Sequence, residues 1–147
     1  MTGARVLLAH GNADCLTIYG SVLAYDGFVV ESVSTIEAAL ASLASAHFDV
    51  VVTDLYIAGA EDQCLIRLLK ASPRFAHLPV VVLTGWTTPL HRALAFDHGA
   101  ERFLPIPVKP RELSAIVADI TGTARSTDAS ILPTPTSPPA RQLSNGI

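Results

Sequence analysis

Apolar residues along this chain fall into short unbroken runs, separated by longer stretches in which they recur at helical spacing. The clearest runs are Val50-Val51-Val52-Thr53-Asp54 and Val80-Val81-Val82-Leu83-Thr84. β-Branched runs without alternation are the mark of parallel strands covered by helices on both faces. Arg5–Ala9 reads as a further buried strand, Phe28–Glu31 as a second, and Arg102–Leu104 as a short fifth; the two runs extend to Phe48–Asp54 and Pro79–Thr84 as the third and fourth.

Between them lie helical patterns with recognisable ends. Asp14 is placed to cap a helix reaching Tyr25, with Leu16, Tyr19 and Leu23 on one face and Gly27 as its breaker. Ser34 or Thr35 caps a second helix carrying Ile36, Leu40 and Leu43. Tyr56–Ala60 reads as a loop in which Gly59 is free to take positive φ, and Asp62–Ala71 as a helix ended by Ser72-Pro73. Pro89–His98 is a helix closed by Gly99, and Pro110 opens the last one, with Leu113, Ile116, Val117 and Ile120 inward.

Strand and helix therefore alternate five times. Right-handed crossovers turn such an alternation into a doubly wound α/β fold, a five-stranded parallel sheet for which the order 2-1-3-4-5 is one of the two common solutions and the one expected here. Ligands of open α/β sheets bind where the strands end. Asp54 and Thr84, each closing a strand, are thus expected side by side at the carboxyl edge.

The 147 residues suit one domain with a sizeable core, since half are hydrophobic and 16% charged. A net charge of -3 with no basic run argues against direct nucleic-acid binding. Cys15 and Cys64 fall in separate predicted helices at no metal-like spacing and read as free thiols of a reducing compartment. The four apolar residues before His10-Gly11-Asn12 are too few for a signal peptide, and no run approaches the ~20 residues of a membrane span. A cytoplasmic protein with no membrane contact is expected. From about Gly122 the chain turns rich in Thr, Ser, Pro and Ala, including Leu132-Pro133-Thr134-Pro135-Thr136-Ser137-Pro138-Pro139. Residues 122–147 read as a flexible or polyproline-like tail on a domain spanning 1–121.

Three segments carry a family likeness: Val50-Val51-Val52-Thr53-Asp54-Leu55 with Gly59; Leu78-Pro79-Val80-Val81-Val82-Leu83-Thr84-Gly85; and His98-Gly99-Ala100-Glu101-Arg102-Phe103-Leu104-Pro105-Ile106-Pro107-Val108. With them, residues 4–121 resemble the receiver domain of bacterial response regulators, a flavodoxin-like fold. The resemblance implies that Asp54 is the phosphoacceptor and Thr84 the hydroxyl that bonds the phosphoryl group. It also implies a Mg²⁺ held by the acceptor and an acidic pair after the first strand, and a lysine after the fifth strand paired with the phosphoryl oxygen. Phe103 takes the place of the switch aromatic, expected to bury inward because it has no hydroxyl. The Ile106-Pro107 bond is expected to be cis.

The departures are as informative. His10-Gly11 stand where the acidic pair belongs, and neither replaces a carboxylate as a hard oxygen ligand for Mg²⁺. Asn12 and Asp14 follow, with Asp14 better suited to capping. Ile106 stands at the lysine position, and Lys109 lies beyond Pro107, where it reads as a surface residue. Ala58 replaces a common proline four residues after the acceptor. Mg²⁺ is therefore expected to bind weakly or not at all, and Asp54 to accept phosphate poorly. A protonated His10 beside Asp54 is one alternative to the lost metal charge; a neutral His10 bonded to backbone or water is the other. His10 and Asp54 alone offer too few ligands for a transition metal.

These residues imply a single-domain, non-enzymatic signalling protein that works by binding. The expected partner is a histidine kinase, another regulator or an output enzyme, with a homodimer through the fourth helix, fifth strand and fifth helix also open. Trp86, at the mouth of the site, is a candidate contact or a lid. A working phosphoacceptor on Asp54 is the competing reading. A nucleotide-binding enzyme needs a glycine-rich loop after the first strand, which His10-Gly11-Asn12-Ala13-Asp14 is not.

Overall fold

Five parallel strands form the centre of the molecule, the inner three of them apolar on both faces. The computed structural model describes residues 3–57 and 64–122. In chain order the elements are β1 (Arg5–Ala9), α1 (Ala13–Tyr25), β2 (Val29–Val33), α2 (Ile36–Ser45), β3 (Val50–Thr53), α3 (Leu65–Lys70), β4 (Val80–Thr84), α4 (Pro89–Asp97), β5 (Arg102–Pro105) and α5 (Pro110–Thr121). The sheet order is β2-β1-β3-β4-β5, the expected one of the two common doubly wound orders. All pairings are parallel, with Ala9 opposite Thr53, Thr53 opposite Val82, and Thr84 opposite Pro105.

Successive side chains of each strand point to opposite faces and feed two separate cores. Leu7, Val51, Val80 and Val82 join Ile36, Leu43, Leu65, Ile66 and Leu69 in one core. Val6, Leu8, Val50, Val52, Val81 and Leu83 join Tyr19, Leu23, Leu113 and Val117 in the other. The central strands β3 and β4 are buried along their whole length, whereas β2, at the sheet edge, buries only Val33 fully.

Several predicted boundaries move. Asn12, not Asp14, caps α1: its side chain accepts from the Cys15 N–H, and Asp14 sits exposed in the first turn. β2 runs to Val33 rather than stopping at Glu31, because it keeps pairing with β1 through Ala9. Leu40 is 38% exposed, while Ile36 and Leu43 on the same helix are buried. Cys64 is the residue before α3 rather than inside a helix, and helix α4 ends one residue short of His98. Gly59 and Asp62 lie outside the described residues, as does the stretch after Gly122 read as a tail. Thr35 caps α2, Pro110 opens α5, and Ile106-Pro107 is cis.

Gly99 follows α4 with φ of 110°, and a Cβ there would lie 3.0 Å from Lys70 Cγ. The Lys70 stem crosses this gap, and its ammonium donates to the Ala76 and Leu78 carbonyls at 3.0 and 2.8 Å. One lysine thereby satisfies the turn that delivers the chain into β4.

At the opposite end of the strands from Asp54, Asp49 accepts from the Arg5 N–H at 2.7 Å and from His47 at 3.0 Å. Burial pushes its carboxyl up, but the Arg5 N–H, the His47 hydrogen bond and the nearby positive charges together hold it below 3.8. A carboxyl lowered on folding stabilises fully above its unfolded value, and that stability is lost as pH falls through the folded value. Asp49→Asn is therefore expected to lower the urea midpoint well above pH 3.8, with the difference from wild type closing in acid. A difference that widens in acid contradicts this.

Candidate functional site

The carboxyl ends of β1, β3 and β4 bring His10, Asp54 and Thr84 together. Asp54 follows β3 immediately; its N–H donates to the Ala9 carbonyl at 3.1 Å, which ties the residue to the end of β1. Its Oδ1 accepts from the Leu55 N–H at 2.7 Å, so the loop backbone turns one carboxylate oxygen inward and fixes it. The side chain keeps 14% of its surface, enough to reach solvent.

His10 is 4% exposed and fills the space beside the carboxylate. The Asn12 N–H points at its Nδ1 at 3.1 Å, which makes that nitrogen an acceptor. The ring hydrogen therefore sits on Nε2, the tautomer assigned from its partners. Nε2 lies 3.1 Å from the Leu83 carbonyl and 3.5 Å from Asp54 Oδ2. The first is a hydrogen bond; the second exceeds ordinary N–H···O range. His10 thus acts as a pin between β1 and β4, its Nε2–H given to the Leu83 carbonyl and the ring edge set beside the carboxylate.

Thr84 is fully buried, and its Oγ1 accepts from the Trp86 N–H at 3.1 Å, leaving the hydroxyl hydrogen to donate. Gly11 is exposed and contributes no side chain. Ile106 is partly buried against the core that also holds Leu83 and Leu113. Lys109 is exposed, precedes α5 and enters no ion pair among the described residues. Phe103 is 8% exposed and turned inward, with the Arg92 guanidinium 5.7 Å over its ring.

Trp86, half-exposed, packs edge-on to Tyr56 at 5.8 Å and tilted against His91 at 5.3 Å; Tyr56 and His91 meet edge-on at 6.2 Å. Such ring pairs add about 0.5–1.5 kcal/mol each beyond burial. The cluster joins the loop after β3 to the loop after β4 and to α4. Thr88 caps α4 by accepting the His91 N–H, and its hydroxyl also bonds His91 Nδ1 at 2.7 Å. Tyr56 and His91 carry no spacing signal in the sequence; three rings from two loops and a helix meet only when the sheet aligns those elements.

Magnesium needs hard oxygen ligands, usually carboxylates. Asp54 supplies one. The nitrogen His10 turns inward carries a hydrogen, not a lone pair. Among the described residues no three His, Cys, Asp or Glu side chains are grouped to hold a metal. Burial, then the Asp54 and Asp14 carboxylates, push the Cys15 thiol up; burial raises Cys64 as well, so neither offers a thiolate. The side-chain donors among the described residues do not fit the ion.

Residues 6–118 match the response regulator receiver domain family. The response regulator protein FleR of Pseudomonas aeruginosa is 30% identical over 115 residues, 78% of this chain and 24% of that protein. The DNA-binding transcriptional regulator NtrC of Rhizobium meliloti is 31% identical over 118 residues, 80% of this chain and 24% of its own length. The chain thus spans about a quarter of the length of each of these two relatives. The chemotaxis response regulator CheY4 of Vibrio cholerae superposes with a TM-score of 0.72 at 22% identity, covering 81% of this chain and 99% of that one. So does the receiver domain of the Pseudomonas aeruginosa sensor histidine kinase PA1611, with a magnesium ion coordinated in its active site cleft: TM-score 0.74, 22% identity, 83% and 100% covered. Among the described residues no helix is long and apolar enough to cross a membrane. This chain belongs to the response regulator receiver domain family of two-component signalling.

Proposed function

We propose that this receiver domain signals by binding a protein partner, with little or no Mg²⁺-dependent phosphoryl transfer to Asp54. One observation carries the reading. The His10 ring occupies the end of β1 with Nε2, bonded to the Leu83 carbonyl, 3.5 Å from the acceptor carboxylate, where a metal-assisted site requires oxygen lone pairs. Ile106 compounds it, since an aliphatic side chain offers no charge to a phosphoryl oxygen. Two unit charges ~4 Å apart at an effective dielectric of ~20 repel by roughly 4 kcal/mol. An anionic donor approaching Asp54 without a cation meets a barrier raised by about that much.

On this reading the domain is not an enzyme, binds no nucleic acid, sits in the cytoplasm and passes its signal to a histidine kinase, another regulator or an output enzyme. Homodimerisation through α4, β5 and α5 is compatible with it. Retention of Asp54 and Thr84 together favours the second reading, a phosphoacceptor with rearranged support.

The two separate on incubation with acetyl phosphate or beryllofluoride and Mg²⁺, followed by intact mass and Trp86 fluorescence. The binding reading expects unchanged mass and unchanged emission. Trp86 packs on Tyr56, two residues from Asp54, so a loaded site would alter its signal. A labile adduct of one phosphoryl group, absent from Asp54→Asn, overturns the binding reading.

A further inference from the structure

A second concave site lies at the other end of the sheet. A groove of about 360 Å³ runs between the end of α2 and the turn before β4, floored by Leu43, Phe48, Phe75 and Leu78 and rimmed by Arg74 and His77. Phe48 precedes β3 and Leu78 precedes β4, so the groove opens at the amino edge, away from Asp54. Its rim is rich in donors. Among the described residues the Arg74 side chain makes one long hydrogen bond, 3.5 Å to the Ala44 carbonyl, and His77 makes none from its ring.

We propose that this groove docks the chain's own proline-rich segment, Leu132–Pro139. Helix α5 ends at the same edge, because Asp119 near its end pairs at 3.1 Å with Arg102, the first residue of β5. The nine residues 123–131 then reach up to about 30 Å when extended, comparable with the diameter of a domain this size. The chemistry matches. Proline has no N–H, and a polyproline II chain leaves its carbonyls without internal partners, so Leu-Pro-Thr-Pro-Thr-Ser-Pro-Pro is acceptor-rich. Aromatic-floored grooves with donors on the rim take such chains, burying proline rings on the floor and bonding carbonyls at the edge. Both faces are carried by one chain, so docking avoids the entropy of bringing two molecules together. The inference does not depend on the state of Asp54.

The test uses the full chain and two variants recorded by ¹H–¹⁵N NMR. Arg74→Ala with His77→Ala changes two exposed residues; Pro133→Ser with Pro135→Ser changes only the segment. Docking predicts reciprocal shifts: the rim variant moves the amides of Thr134, Thr136 and Ser137, and the proline variant moves those of His47, Phe48, Phe75 and His77. Amides of Val50–Thr53 report that the fold is kept. The reciprocal shifts should persist unchanged on dilution. Their absence in either direction overturns the proposal, and so does their loss on dilution, which assigns the groove to a second copy.

Discussion

Installing His10→Asp, Gly11→Asp and Ile106→Lys together is expected to raise the rate of Asp54 phosphorylation by acetyl phosphate about a thousandfold. That factor corresponds to the roughly 4 kcal/mol of repulsion that a compensating cation would remove. The positions allow the change. His10 Nε2 already lies 3.5 Å from Asp54 Oδ2, so a carboxylate grown from the same backbone enters the same space. Nothing lies within 4 Å of a Cβ built on Gly11. Ile106 is only partly buried, so a lysine stem can follow its path while the ammonium extends outward. Losing the His10 ring removes a partner from the Leu83 carbonyl and the Asn12 N–H, costing about 1–3 kcal/mol of stability. Ile106→Lys alone is expected to do little, since groups that act as one unit are non-additive. Intact mass against time reads the rate, and adding Asp54→Asn to the triple variant should abolish it. A wild-type chain as fast as the triple variant would show that the missing charges were never limiting.

Leu43→Ala is expected to cost about 2–5 kcal/mol, and Leu40→Ala less than about 1 kcal/mol. Both leucines sit on α2 at apolar spacing, and periodicity treats them alike. Leu43 is 2% exposed and packs with Leu7, Val51 and Leu78; Leu40 is 38% exposed. Removing Leu43 leaves a cavity that a core between sheet and helices cannot close, whereas removing Leu40 deletes a side chain already partly in water, with solvent free to fill its place. Urea unfolding at a common m-value measures both. Equal losses would mean that α2 is rotated from the orientation described.

β1, β3 and β4 were legible because each holds an unbroken apolar run, the mark of a strand in a parallel sheet covered on both faces. Right-handed crossovers narrowed the strand order to the common doubly wound solutions, and the fold realises 2-1-3-4-5. Helix starts were harder. Asn12 and Asp14 are both good caps, two positions apart, and the choice came down to which side chain meets the Cys15 N–H. Spacing groups Leu40 with Ile36 and Leu43, but it does not fix how wide a stripe the helix buries, and Leu40 stays 38% exposed. Lys70 looked like any charged residue; its role depends on carbonyls in a turn that forms only when α3 meets β4.

At the site, Asp54 and Thr84 were readable because a carboxylate or hydroxyl that ends a buried run must lie at the carboxyl edge, whereas His10, Gly11 and Ile106 were readable only through the family resemblance, as residues standing where it implies others. So was the absence of a second and third carboxylate after β1. Tertiary structure alone decided what His10 does. Its acceptor, the Leu83 carbonyl, lies 73 residues away, and its donor is a backbone N–H with no identity of its own. It also decided that Tyr56 and His91 close around Trp86, and that the end of α5 shares an edge with the groove near Phe75. Apolar runs act locally and leave their mark in the order of residues. Hydrogen-bond direction and the meeting of loops depend on backbone groups that every residue shares, and these find their partners only once the sheet has assembled.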